Sequence, residues 1–115
     1  MENYDLVNEL NDLCNKLTVS GRQMQKYGNE LAEAERDYKI KLREEALRLR
    51  TEKDMPVTLI QQVVYGIPDV AQLRFKRDVA ETMYKTAQES INTLKLKIRI
   101  LDAQISREWG SSKNG

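Results

Sequence analysis

Apolar residues recur at alternating spacings of four and three along the first part of the chain. The series is Leu6, Leu10, Leu13, Leu17, Ser20, Met24, Tyr27, Leu31, Ala34 and Tyr38. Only Ser20 interrupts its apolar character. A heptad repeat of this kind is typical of a helix that packs along its length against another helix. The repeat therefore predicts a long, coiled-coil-like helix.

One short stretch of this helix has weak helix-forming residues. Thr18, Val19, Ser20 and Gly21 follow one another and together disfavour a helix by roughly 2–3 kcal/mol relative to alanine. The heptad phase is nevertheless the same before and after the stretch, which favours a continuous helix. Two alternatives stay open: the helix bends or breaks at 18–21 and residues 3–17 pack back, or it runs straight through.

A connector follows, in which Pro56 disfavours helical geometry for the residue before it. The first helix is therefore expected to end near residues 52–54, and a short helix is predicted over residues 58–65. The apolar residues of this short helix are too many for an exposed loop, so they are expected to plug the end of the helix bundle. They are Leu59, Ile60, Val63 and Val64.

The last helix is predicted to begin at Asp69 and to end near Trp109, with a single helical domain over 1–109 and a disordered polar tail over 110–115. Its seam has two sets of positions. They are Val70, Arg77, Tyr84, Ile91, Ile98 and Ile105 in one set and Leu73, Ala80, Ala87, Leu94 and Leu101 in the other. The fold class predicted is all-α: a long antiparallel helical hairpin with a short connector helix.

The short connector requires the two long helices to run antiparallel. Counting outward from the turn, residue 77 should face residues 44–45, and residue 84 should face residue 38. This register predicts an ion pair between Glu45 and Arg77 and places Tyr38 close to Tyr84.

The last helix carries a second apolar stripe on its far side, which includes Phe75, Val79, Leu96 and Ile100. A two-helix hairpin cannot bury both stripes. Either residues 3–17 or a neighbouring copy of the protein must cover the second stripe. Since both arrangements leave apolar surface on a thin structure, we expect a homo-oligomer.

Two glycines lie on one face of the first helix. Gly21 and Gly28 are seven residues apart, and their small size permits another helix to approach closely. They are predicted to pack at an oligomer axis, with a simple hinge or turn as the alternative.

The residue content disfavours catalysis. The chain has no histidine, which removes the commonest general base and the commonest zinc ligand, and a single cysteine, Cys14. No glycine-rich phosphate loop is present. We therefore expect a non-enzymatic protein without a metal or cofactor. No apolar run spans a membrane and the acidic start shows no secretion signal, so we expect a cytoplasmic location.

Basic residues gather near one end of the predicted hairpin, beside an aromatic residue. This candidate site consists of Arg48, Arg50, Lys53, Tyr65, Arg74, Lys76 and Arg77. Such a cluster is suited to phosphates, a nucleotide or an acidic protein surface. The interleaved acidic residues favour an ordinary solvated face instead, and with a net charge of +1 they disfavour non-specific DNA binding.

The segment "MPVTLIQQVVYGIPDVAQLRFKRDVAETMYKTAQESIN" resembles small helical accessory proteins encoded in the early regions of phages and prophages of Gram-positive bacteria. The resemblance implies a factor that occupies a host component, such as a defence nuclease, a CRISPR effector or a cyclic-nucleotide signal. Phage sponge proteins are similar in outline, with antiparallel helices in a homo-oligomer that traps signalling nucleotides.

These observations lead to one functional hypothesis and two alternatives. The hypothesis is a homo-oligomeric phage-type binding protein that inhibits or sequesters a host defence factor in the host cytoplasm. The first alternative is a nucleotide or nucleic-acid binder that uses the basic end. The second is a structural or scaffolding coiled coil.

Overall fold

A computed structural model describes residues 3–114, with side chains described for residues 4–110. In this part of the chain all regular structure is helical: α1 covers Asn3–Glu52, α2 covers Val57–Val63, a 3-10 turn covers Val64–Gly66 and α3 covers Pro68–Asn114. The predicted fold class, an all-α antiparallel helical hairpin with a short connector helix, is confirmed. The chain packs as two compact units, Lys26–Tyr84 and Met1–Gln25 with Lys85–Gly115. The single domain predicted over 1–109 stays a prediction.

Helix α1 runs unbroken through residues 18–21, so the continuous alternative is confirmed and the bend is wrong. Thr18 fits the helix because its hydroxyl donates a hydrogen bond to the carbonyl oxygen of Cys14 at 3.2 Å. Packing explains why the weak stretch stays helical. Leu6 is only 1% exposed, and burying one such leucine contributes about 1.5–3 kcal/mol, comparable to the whole propensity deficit.

The core of the unit formed by Met1–Gln25 and Lys85–Gly115 contains Leu6, Leu101 and Ile105, with Leu10 and Leu13 packed against them. The first residues of α1 thus contact the main seam of α3. They do not cover the second stripe, where Leu96 and Ile100 remain 52% and 59% exposed. The prediction that residues 3–17 would cover these two side chains is wrong, because the same α1 leucines cannot face both sides of α3.

In the unit Lys26–Tyr84, the chain reverses direction directly after α1. Asp54 adopts a left-handed conformation with φ of 50°, which aspartate tolerates better than most residues. The Met55 amide donates a hydrogen bond to the Leu49 carbonyl oxygen at 3.2 Å, and the Arg50 guanidinium donates one to the Met55 carbonyl oxygen at 3.1 Å. Pro56 then precedes the first residue of α2.

Helix α2 and the 3-10 turn pack on the last turns of α1. Ile60 and Val64 form a buried cluster with Leu49, and Leu42 and Ala46 pack against that cluster. The end of α1 is therefore covered by the connector rather than by α3.

The helix register consequently differs from the prediction. Arg77 lies beside Tyr38 rather than residues 44–45, and Tyr84 lies against Gly28 rather than Tyr38. The predicted Glu45–Arg77 pair and the predicted Tyr38–Tyr84 contact are both wrong. Counting outward from the turn assumes that α3 packs against the last turns of α1. In the structure α3 begins beside Lys41 instead, and the Lys41 ammonium lies 3.8 Å from the Asp69 carboxylate.

Helix α3 continues to Asn114, past the end predicted at Trp109. The disordered tail predicted over 110–115 stays a prediction, and Gly115 lies outside the described residues. A glycine ends a helix most effectively in the left-handed conformation. Gly110 does not adopt it, and no proline follows Gly110 in the sequence.

Candidate functional site

The predicted basic site lies entirely in the unit Lys26–Tyr84, and two of its residues are in direct contact. The guanidinium carbon of Arg74, on α3, lies 5.2 Å from the centroid of the Tyr65 ring, in the 3-10 turn. This distance is typical of a cation–π contact. Tyr65 is 44% exposed, so the pair is accessible to a partner.

Two arginines of the predicted site are held by carboxylates. Arg48 Nε donates a hydrogen bond to Glu45 Oε2 at 2.7 Å. This bond lowers the pKa of the Glu45 carboxyl, against an opposing effect of burial, and Lys41 lowers it further from 3.3 Å. The same bond is the main cause that raises the pKa of Arg48. Arg48 therefore stabilises α1 and is not available as a free phosphate ligand.

Arg77 belongs to the interface between α1 and α3. Its guanidinium carbon lies 4.7 Å from the centroid of the buried Tyr38 ring, and its Nε and Nη2 donate hydrogen bonds to Asp78 Oδ1 at 3.0 and 2.9 Å. The bonds to Asp78 raise the pKa of Arg77, and its partial burial opposes the rise. The Tyr38 ring explains how a charged residue is accommodated in the seam.

The remaining basic residues are dispersed. Arg50 donates to the Met55 carbonyl oxygen and so holds the turn after α1, and Lys53 is exposed beyond the end of that helix. Lys76 lines a separate groove whose other wall carries Glu30, Glu33 and Asp37. Of the seven residues, the structure thus assembles Arg74 and Tyr65, while the ligand-binding role of the whole set stays a prediction.

Three side chains of the short helix that precedes Tyr65 are apolar and exposed, a feature that the sequence interpretation missed. Val57, Leu59 and Val63 are 58%, 43% and 38% exposed. We call these three residues and Tyr65 the connector surface. The prediction that all four apolar residues of the connector helix plug the end of the bundle is wrong for Leu59 and Val63. Ile60 and Val64 are buried. A short helix presents only one face to its support, and Ile60 and Val64, four residues apart, occupy that face.

Comparison with protein-family models, with curated proteins and with solved structures gave no significant match. The candidate site is therefore assigned from its own geometry.

The described residues contain neither a group of metal ligands nor a membrane-spanning helix. No group of three or more cysteine, aspartate or glutamate side chains that could hold a metal ion occurs among them. None of the helices described for residues 3–114 is long and apolar enough to cross a membrane. The connector surface has apolar contact area and one ring, and Arg74 adds a guanidinium beside that ring; these groups suit recognition of another macromolecular surface.

The residues predicted to mediate oligomerisation lie in different environments. A methyl group added at Gly28 would lie 3.3 Å from Tyr84 Cε2, whereas nothing lies within 4 Å of such a group at Gly21. Gly28 therefore admits Tyr84 within the chain, and the oligomer-axis role of the two glycines stays a prediction. Both glycines lie inside α1, so neither is a hinge or turn. Phe75 and Val79 are 63% and 46% exposed and, like Leu96 and Ile100, are free of cover within the chain.

Proposed function

We propose that this chain is a non-enzymatic binding protein that acts as a homo-oligomer and occupies a protein partner through the connector surface. The proposal depends on one observation: Val57, Leu59, Val63 and Tyr65 are exposed on a short helix and turn that Ile60 and Val64 anchor to α1, with Arg74 over the tyrosine ring. Tyrosine and arginine are enriched among the residues that dominate binding energy. Leu59 and Val63, four residues apart in α2, lie on one side of that helix, and adjacent exposed apolar side chains mark interaction surfaces.

The chemistry of the partner follows from the same contacts. An apolar patch would cover the valines and the leucine, and a carboxylate beside it would meet Arg74. A phosphorylated nucleotide is a poorer fit, because Arg48 and Arg77 already contact carboxylates and a phosphate would have to displace them. As the sequence resemblance implies, we propose that the partner is a host factor that the protein inhibits or sequesters in the cytoplasm.

The test compares partners captured from host lysate by the wild-type protein and by two variants. Leu59→Asp with Tyr65→Ala removes the apolar contact and the ring, and should abolish capture of the specific partner. Ile40→Asp introduces the same charge at a 51% exposed position on α1 outside the connector surface, and should leave capture intact. Circular dichroism verifies that both variants retain their helices.

Two results would overturn the proposal. One is equal capture by all three proteins, which would remove the connector surface from binding. The other is thermal stabilisation by a cyclic nucleotide that Arg74→Ala abolishes, which would favour the nucleotide-binding alternative. Loss of partner capture in the connector variant alone supports a protein ligand.

A further inference from the structure

In the unit Lys26–Tyr84, one face of α3 is apolar, exposed and bordered by acids. Phe75, Val79 and Met83 follow one another at four-residue spacing, so they lie along one side of the helix. They are 63%, 46% and 43% exposed. A groove of about 400 Å³ runs beside Val79 and Met83, and its α1 wall carries Glu30, Glu33 and Asp37, with Lys76 as its one base. We call the three apolar residues and the three acids the acidic face.

In the other unit, a second face of α3 is apolar and bordered by bases. Leu96 and Ile100 are 52% and 59% exposed, and exposed Lys97 and Arg99 flank them. The stretch "NTLKLKIRI", residues 92–100, has three bases and no acid. In the groove beside Ile100, Glu9 and Asp12 are balanced by Lys16 and Lys97. We call Leu96, Ile100, Lys97 and Arg99 the basic face.

The two faces match in spacing and in charge. Phe75 and Val79 are four residues apart, as are Leu96 and Ile100. An antiparallel approach of two copies therefore sets Phe75 opposite Ile100 of the partner subunit and Val79 opposite Leu96 of the partner subunit. Lys97 and Arg99 flank the apolar stripe on opposite sides, since they line different grooves of their own copy. One of the two bases of the partner subunit therefore approaches the carboxylates on the α1 wall.

We infer that the acidic face of one copy binds the basic face of a second copy. This inference rests on the homo-oligomer of the proposed function and identifies its interface. Like faces cannot pair in the same way, since two acidic faces would bring Glu30 and Glu33 against their own equivalents, and like charges suppress wrong pairing. Each copy carries one face of each kind, so the contact joins unlike faces of two copies.

The test is an exchange of charges between the two faces, followed by light scattering with size-exclusion chromatography. Glu30→Lys with Glu33→Lys reverses the acidic face, and Lys97→Glu with Arg99→Glu reverses the basic face. The wild-type protein should assemble above its 13.4 kDa chain mass. Each reversed variant alone should associate at least about tenfold more weakly.

An equimolar mixture of the two reversed variants should recover assembly, because every interface then again joins opposite charges. Glu44→Lys and Lys53→Glu, exposed reversals outside both faces, should assemble like wild type. A mixture that stays monomeric, or reversed variants that assemble normally, would overturn the interface while leaving the proposed function standing. A wild-type monomer at high micromolar concentration would overturn the homo-oligomer itself.

Discussion

The two glycines of α1 provide a matched pair of substitutions that tests how the helix runs and how it packs. Gly21→Ala places a methyl group in open space, with nothing within 4 Å. Because α1 is helical on both sides of residue 21, alanine should stabilise the folded chain by about 1 kcal/mol through its helix propensity. At the midpoint this corresponds to an increase in melting temperature of about 4 °C.

Gly28→Ala gains the same propensity term but adds a methyl group 3.3 Å from Tyr84 Cε2. Crowding of a packed site typically costs about 1–3 kcal/mol. The net effect should therefore lie between neutral and about 2 kcal/mol destabilising. In a Tyr84→Leu background the ring is absent, so the alanine at position 28 should stabilise as it does at position 21. The difference between the two backgrounds is the coupling energy between residues 28 and 84.

Thermal unfolding followed by circular dichroism, at one fixed protein concentration, measures all four variants. A neutral or destabilising Gly21→Ala would refute the continuous helix, because a bend at 18–21 gives glycine a conformational role that alanine lacks. A Gly28→Ala variant as stabilised as Gly21→Ala would refute the close approach of Tyr84.

The remaining predictions concern the cores and the turn. Leu6→Ala should destabilise the folded chain by about 2–5 kcal/mol in urea unfolding, since Leu6 is almost fully buried. Arg50→Ala should cost about 1 kcal/mol in the same assay, because the Met55 carbonyl oxygen loses its hydrogen bond. The folded-state pKa of Glu45 is lowered from 4.5, chiefly by Arg48, so its contribution is present above the unfolded-state pKa and is lost as pH falls through the folded-state value. Glu45→Gln should therefore flatten the acid side of the stability–pH profile, and an unchanged profile would contradict this assignment.

The sequence predicts the helices well because their buried positions recur at a regular spacing. Leu6, Leu101 and Ile105 were all seam residues by spacing, and all three are buried. The spacing of apolar residues also predicts the second stripe of α3, since Phe75 and Leu96 lie opposite the seam. A heptad repeat predicts which face of a helix is buried, and this prediction does not require knowing which helix packs against that face.

The register and the connector could not be predicted in the same way. A heptad seam looks alike after sliding by whole turns, so periodicity does not distinguish one pairing of turns from another. The choice here depends on how Ile60 and Val64 dock on Leu49, which is a tertiary contact of a helix only seven residues long. The exposure of Leu59 and Val63 follows from the same docking and was missed for the same reason.

Side-chain size gives the observed register of the unit Lys26–Tyr84 a further advantage over the one predicted from the turn. In the predicted register, Tyr84 would meet Tyr38, and two rings would compete for one position. In the observed register, Tyr84 lies where Gly28 leaves room, and Tyr38 is covered by the Arg77 guanidinium instead of a second ring. Sliding α3 toward the predicted register would therefore lose both fitted pairs at once. A charged residue within an apolar seam discriminates between registers in this way, because only one alignment provides it with a suitable neighbour.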